Sequence, residues 1–256
     1  MIDHPPLHLV NWPFLSSLRE LLDEIEPDLS IRVLVFDSVD AEFFLMHGDV
    51  EQILGSTPPA GDVYEPNLAA QTFERVRVSR LATIGLINGQ ARGGGSEFLS
   101  SLDMRFAGPR TVLGQPEVAM GILPGASGTQ RLARLVGRAR ALEIILGCYD
   151  VTADEAAAMG YVNRVLPEAQ LRPYVERLAR RLGVMSAAAI TEAKAAVDLA
   201  LPGVNEGLLN ETNAYGRLVR AGEHKVYMQR FLEAGGQTRD GETNRMTAIV
   251  DTMLDL

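Results

Sequence analysis

Apolar positions change their period along this chain, and the changes mark out its elements. In residues 13–25, Phe14, Leu18, Leu21, Leu22 and Ile25 fall on one stripe, the spacing of an amphipathic helix, with Pro27 just beyond its end. Residues 31–36 predict a strand centred on Val33, Leu34 and Val35. Residues 43–49 read as another strand-to-turn passage. Residues 55–67, holding Gly55, Pro58, Pro59, Gly61 and Pro66, read as an irregular, mobile loop. A helix is predicted over 68–78, a buried strand over 82–87 and a helix over 96–104, with Gly93, Gly94 and Gly95 at the strand-to-helix turn. Extended segments follow at 104–107 and 111–113. Two helices, 129–136 and 138–146, are split at Gly137. An alanine-rich helix over 153–159 ends at Gly160, and a short strand covers 161–166. From residue 168 only helical spacing remains: 168–182, 186–200, 204–221 and 223–234. The chain thus divides into an α/β core, residues 1–183, with a loose strand–strand–helix recurrence, and a helical region, residues 184–256.

Composition narrows the class. The 256 residues are 46% hydrophobic and 22% charged, ordinary values for a chain long enough to bury a full core. The longest apolar runs fall short of the ~20 residues of a membrane span, so no membrane role is expected. The N-terminus lacks the basic start and apolar stretch of a signal peptide, and the expected location is cytoplasmic. Cys148 is the only cysteine, which excludes an intrachain disulfide and a cysteine-rich metal site. A formal net charge of −9 argues against nucleic acid as the main partner. Of 24 basic residues only Lys194 and Lys225 are lysines. Arginine binds phosphate in a planar, bidentate way, so a phosphorylated ligand remains possible at a local basic patch.

The candidate chemistry lies in two glutamates beside glycine-rich turns. Glu97 follows Gly93-Gly94-Gly95-Ser96, and Glu117 follows Gly114-Gln115-Pro116. Bare amides at a helix start, with the helix dipole behind them, can hold a developing oxyanion, and a carboxylate one turn on can move protons beside it. The glycine run does not fit a nucleotide loop. Phe98 stands where the dinucleotide pattern needs a small residue, no Gly-Lys-Ser/Thr triplet occurs, and Glu97 would repel a pyrophosphate. Taken alone, Glu97 is equally explained as an acid favouring the dipole of its helix. Glu117 lies between Pro116 and the apolar run Val118-Ala119-Met120, where a half-buried carboxylate needs a partner or a task. His47 has no second ligand at metal spacing and reads as a structural or solvent-facing residue. Cys148 reads as a small apolar side chain. Asp49 reads as a cap for a short helix over 50–54.

Several linked motifs, in order, give the chain its resemblance. Gly93-Gly94-Gly95-Ser96-Glu97, Gly114-Gln115-Pro116-Glu117, the run from Gly121 through Pro124-Gly125 and Gly128-Thr129 to Arg131-Leu132, and the stretch from Ala153 to Val162 resemble the enoyl-CoA hydratase/isomerase (crotonase) family. The resemblance is concentrated in residues 83–166 and weakens at both ends. It implies a crotonase-like α/β spiral of ββα units, with C-terminal helices that mediate assembly into a homotrimer or a dimer of trimers. The apolar residues Val184, Met185, Ile190, Val197, Leu199, Leu208, Leu209, Leu218, Val219 and Phe231 are expected as the surplus surface for that contact.

By the same resemblance, the amides of Gly48 and Gly94 form an oxyanion hole for an acyl-CoA thioester. Glu97 activates water and Glu117 handles the proton at C2 of a 2-enoyl-CoA. No separate cofactor is implied, coenzyme A being part of the substrate. The chain departs from the pattern in places. Met46-His47 stands where the family has small residues, which is expected to push the first turn outward. Ser79-Arg80-Leu81 replaces the family's Pro-Lys-Pro. The tail Gln229-Arg230-Phe231-Leu232 lacks the family lysine, which bears on the nucleotide end of coenzyme A. Gly125 stands where some dienoyl isomerases carry an Asp. Two alternatives to a hydratase stay open: an enoyl-CoA isomerase or other enolate chemistry, and a non-catalytic homologue that binds an acyl-CoA or a protein partner.

Overall fold

The computed structural model describes residues 1–201 and 203–255. The stripe at the N-terminus forms α1 (Trp12–Ile25), whose Asn11 cap accepts the Phe14 amide at 3.1 Å. Its Leu15, Leu18 and Leu22 face the main core. β1 (Val33–Phe36) follows, then α2 (Val50–Leu54), capped by Asp49 as its sequence implied, and α3 (Leu68–Val78).

The chain then repeats one unit. β2 (Ala82–Ile87) enters a large sheet, β3 (Gln90–Arg92) a small one, and α4 (Gly94–Ser101) closes the unit. β4 (Met104–Ala107) and β5 (Val112–Gly114) do the same, followed by a 3₁₀ turn, Glu117–Met120, and by α5 (Gly128–Val136) and α6 (Arg138–Gly147). β6 (Val151–Thr152), α7 (Ala153–Met159) and β7 (Arg164–Val165) complete the spiral. The large sheet runs β1-β2-β4-β7, all parallel; the small one runs β3-β5-β6, with β6 antiparallel. Parallel strands covered on both faces explain the continuous apolar run of β2, in which all six residues are buried. Phe98 sits at the centre of the core, meeting Phe14, Phe36 and Phe73 edge-on at centroid distances of 6.2, 4.9 and 5.3 Å.

Four sequence expectations are corrected. Residues 43–49 form only single bridges, Phe43 to Gln90 and Gly48 to Val10. Gln90–Arg92, between the expected strand over 82–87 and the glycine turn, is itself a strand, because Arg92 is buried and neutralised by Asp150 through two bonds of 2.7 Å. The helix expected over 96–104 starts at Gly94 and stops at Ser101. Asp103 is held instead by Thr83: its amide donates to the threonine hydroxyl at 2.9 Å, and its carboxylate accepts the Thr83 amide at 2.8 Å. The strand over 161–166 shrinks to two residues, since Tyr161 turns fully inward to bond the Ser96 hydroxyl.

α8 (Glu168–Gly183) covers the large sheet, packing Leu171 and Val175 on Ile84, Leu86 and Phe106. α9 (Ala187–Leu199) has no buried residue. α10 (Asn205–Ala221) and α11 (His224–Glu233) build a second core from Val219, Met228 and Phe231 against Val50, Met120 and Ile122. Leu208, Val219 and Phe231 are therefore core residues and not surplus surface, whereas Val184, Val197 and Leu199 are exposed as expected. A π turn, Gly241–Arg245, and α12 (Met246–Asp251) follow. No helix among the described residues is long and apolar enough to cross a membrane.

Candidate active site

The site begins where the backbone of residues 45–48 crosses the start of α4. A Cβ on Gly95 would lie 1.8 Å from the Leu45 carbonyl oxygen, so only glycine permits this approach. The consequence is that two amides come together: a Cβ placed on Gly94 would stand 3.4 Å from the Gly48 nitrogen. Neither amide donates to another described residue. Gly94 is the first residue of α4, so the helix dipole adds positive potential at that point. The expected outward displacement by Met46-His47 does not occur. Met46 is fully buried in a small cluster with Leu7 and Phe43, and His47 points toward the C-terminal segment.

Glu97, on the first turn of α4, is 3% exposed. Its Oε1 accepts the amides of Ala126 at 2.8 Å and Gly128 at 2.7 Å. The amides of Ser127 and Thr129 face a third carboxylate. Glu211 on α10 accepts Ser127 N–H at 2.6 Å, Thr129 N–H at 2.9 Å and the Thr129 hydroxyl. Four successive amides thus alternate between two buried acids, and the loop fixes both. Burial, then the charges of Glu117 and Glu211, push the Glu97 carboxyl well above its ordinary range, against the pull of the two amides. Burial likewise raises Glu211 to about 7.

Glu117 opens the 3₁₀ turn and is 6% exposed. Burial raises it to about 7, with its own backbone amide and His47 pulling down and Glu211 pushing up. Its Oε2 is buried without a partner among the described residues. Burial disfavours the charged form of each of these three acids, and their mutual repulsion adds to it. The four expected residues, Gly48, Gly94, Glu97 and Glu117, line a single cavity of about 700 Å³. Its other walls are largely apolar: Val50 and Ile53 of α2, Met120, Ile122, and Tyr215 and Val219 of α10. The 55–67 loop forms the rim, tied to α10 by two bonds between Val63 and Asn213, 2.7 and 3.0 Å. Among the described residues no group of three or more His, Cys, Asp or Glu is placed to hold a metal.

The family model for enoyl-CoA hydratase/isomerase matches residues 4–238. The chain belongs to this family. It is 29% identical over 228 residues to the short-chain-enoyl-CoA hydratase of Clostridium acetobutylicum, across 89% of this chain and 87% of that protein. It is 28% identical over 235 residues to the crotonyl-CoA hydratase of Syntrophomonas wolfei, across 89% and 87%. A solved structure from Streptomyces avermitilis superposes with a TM-score of 0.88 at 35% identity, covering 99% of this chain and 93% of that one. The α/β spiral is therefore the crotonase fold.

In this member of the enoyl-CoA hydratase/isomerase family, sequence reasoning missed Glu211 beside the site, and it read His47 as structural or solvent-facing, of which the buried, hydrogen-bonded side chain bears out the first. Glu211 carried a signal: it shares the stripe of Leu208, Thr212, Tyr215 and Val219 on α10, a core-facing position for a carboxylate. His47 carried only its departure from the family pattern, and the partner that fixes it, Glu242, lies 195 positions away.

Proposed function

We propose that this chain adds water to a 2-enoyl-CoA thioester, as a hydro-lyase. The observation that carries the reading is the convergence of two raised carboxylates and two free amides on one apolar cavity. The thioester oxygen would accept the Gly48 and Gly94 amides. Glu97, one oxygen held by the 126–128 loop, would take a proton from water with the other. The resulting hydroxide adds to C3, the electron pair moves to the thioester oxygen as an enolate, and Glu117 delivers a proton to C2. Charge develops on the oxygen that faces the amides; losing one such donor typically costs ~2.7–4 kcal/mol of transition-state stabilisation. The chemistry calls for no cofactor beyond the coenzyme A of the substrate. The acyl chain would lie among Ile53, Met120, Ile122 and Val219.

Isomerisation needs one carboxylate, and the presence of two favours hydration. Incubation with crotonyl-CoA tests the reading: hydration removes the absorbance of the conjugated thioester. An unchanged spectrum at high protein concentration supports the non-catalytic alternative. The reading also includes assembly as a trimer or pair of trimers, supported by the exposed apolar side chains of Val184, Val197 and Leu199 around α9, and a cytoplasmic location.

A further inference from the structure

His47 sits between the oxyanion turn and Glu117, and its hydrogen bonds fix its charge. The side chain is buried, with Nδ1 2.9 Å from the Gly48 carbonyl oxygen and Nε2 2.9 Å from Oε1 of Glu242. A carbonyl oxygen only accepts, so Nδ1 carries a proton. Glu242 Oε1 also accepts the Gln237 amide at 2.8 Å, and Arg92 Nη1 stands 4.0 Å from Oε2. Two donors on Oε1 and the Arg92 cation near Oε2, which itself has no hydrogen-bond partner among the described residues, favour an ionised Glu242, and an ionised Glu242 calls for a proton on Nε2 as well.

Its other neighbour is Glu117. A Cβ on Gly93 would lie 2.5 Å from Glu117 Oε1 and 2.8 Å from His47 Cβ; the bare Cα, at a φ of +50°, lets both side chains share that space. Charges then alternate outward from the cavity: Glu117, His47, Glu242, Arg92, Asp150. The Phe231 ring of α11 packs edge-on against the imidazole at 5.7 Å and keeps water out. Gln237 ties the same segment to the oxyanion turn, accepting the Val50 amide at 2.7 Å and donating to Asp49 at 3.0 Å.

We propose that His47 is a positioning residue, held as an imidazolium by Glu242 and the Gly48 carbonyl, that fixes the Gly48 turn and sets the proton affinity of Glu117. The role assigned to Glu117 rests on the hydratase reading; the charge state of His47 does not. His47 faces Glu242, Arg92 on β3, Glu117 on the 3₁₀ turn and, through Gln237, Asp49. Glu97, Glu211, Tyr215, Tyr161 and Cys148 also lie within electrostatic reach of Glu117, all acids in their titration, and His47 is the neighbour among them that can carry positive charge.

Two measurements decide it. In wild-type protein labelled with ¹⁵N-histidine, one of the four histidines should keep both ring nitrogens protonated well above pH ~6.5, where a free imidazole loses its proton. In the pH profile of kcat/KM for crotonyl-CoA, His47→Gln and Glu242→Gln should each move the Glu117 limb upward by about one unit or more. The double variant should move it little further than His47→Gln alone. A purely structural role would lower the rate at every pH and leave the limb in place. A neutral His47 near pH 7, or an unmoved limb in His47→Gln, overturns the proposal. Should the variants fail to fold, the ¹⁵N titration of the wild type still decides the charge. Should the wild type not hydrate crotonyl-CoA, the hydratase reading fails, while ¹³C-carboxylate titration of Glu117 in wild type and His47→Gln still tests the coupling.

Discussion

Glu97 and Glu117 differ in what holds them, and their variants should differ accordingly. Glu97 is fixed by two loop amides, Glu117 by its turn and by the space Gly93 leaves. Glu97→Gln and Glu117→Gln should each reduce crotonyl-CoA turnover by ~10²-fold or more, the usual scale of general acid–base contributions. Near-wild-type hydration in either variant would remove that residue from the mechanism. Loss of hydration in Glu97→Gln with retained shift of a 3-enoyl-CoA double bond would favour the isomerase. Stability gives a second test. The folded protein raises the Glu117 carboxyl to about 7, so between ~4.5 and 7 the native state binds more protons than the unfolded state. This group's stabilising effect is full below its unfolded pKa and is lost as pH rises through 7. Glu117→Gln should therefore raise the melting temperature relative to wild type more at pH 8 than at pH 5. An equal difference at both pH values would show that burial does not perturb the group. Both glutamates were legible in the sequence because each sits in a local motif. The His47–Glu242 pair was not, because its two halves meet only through the fold.

Elements were legible where periodicity was strong and local. α3 and β2 match their predicted bounds of 68–78 and 82–87, and α7 its 153–159. The misses share one cause, tertiary bonding that overrides local pattern. β3 is three residues with a buried arginine that Asp150 and the Glu242 carbonyl make tolerable, and α4 ends early because Thr83 captures Asp103. The start of α4 is where the site is most sensitive to backbone change. Gly95→Ala would drive a methyl into the Leu45 carbonyl oxygen and should destabilise the protein by several kcal/mol or abolish folding. Gly94→Pro removes one proposed oxyanion donor and disturbs the turn; its chemistry should fall further than its binding of coenzyme A. A stable Gly95→Ala protein with wild-type kinetics would mean that the 45–48 turn does not cross α4 as described.

At the scale of the molecule, one chain brings together residues from almost its whole length: Gly48, Glu97 and Glu117 around one cavity, with Glu211 behind the loop that holds Glu97 and Glu242 behind His47. The spiral itself was readable from the recurrence and motifs. The inward turn of the C-terminal helices was not, since an apolar stripe looks the same whether it faces its own core or a second copy. Leu208 and Val219 took the first course; Val197 and Leu199 on α9 are exposed. Light scattering at micromolar concentration should give the mass of a trimer or hexamer, and a monomer would refute the assembly. Incubating crotonyl-CoA with the protein in oxygen-labelled water tests whether two carboxylates beside an oxyanion hole add water to the substrate. The label should appear at C3 of the product with wild type and be nearly absent with Glu97→Gln and Glu117→Gln. Recovery of unlabelled substrate from the wild type, or a shifted double bond without label, would contradict it.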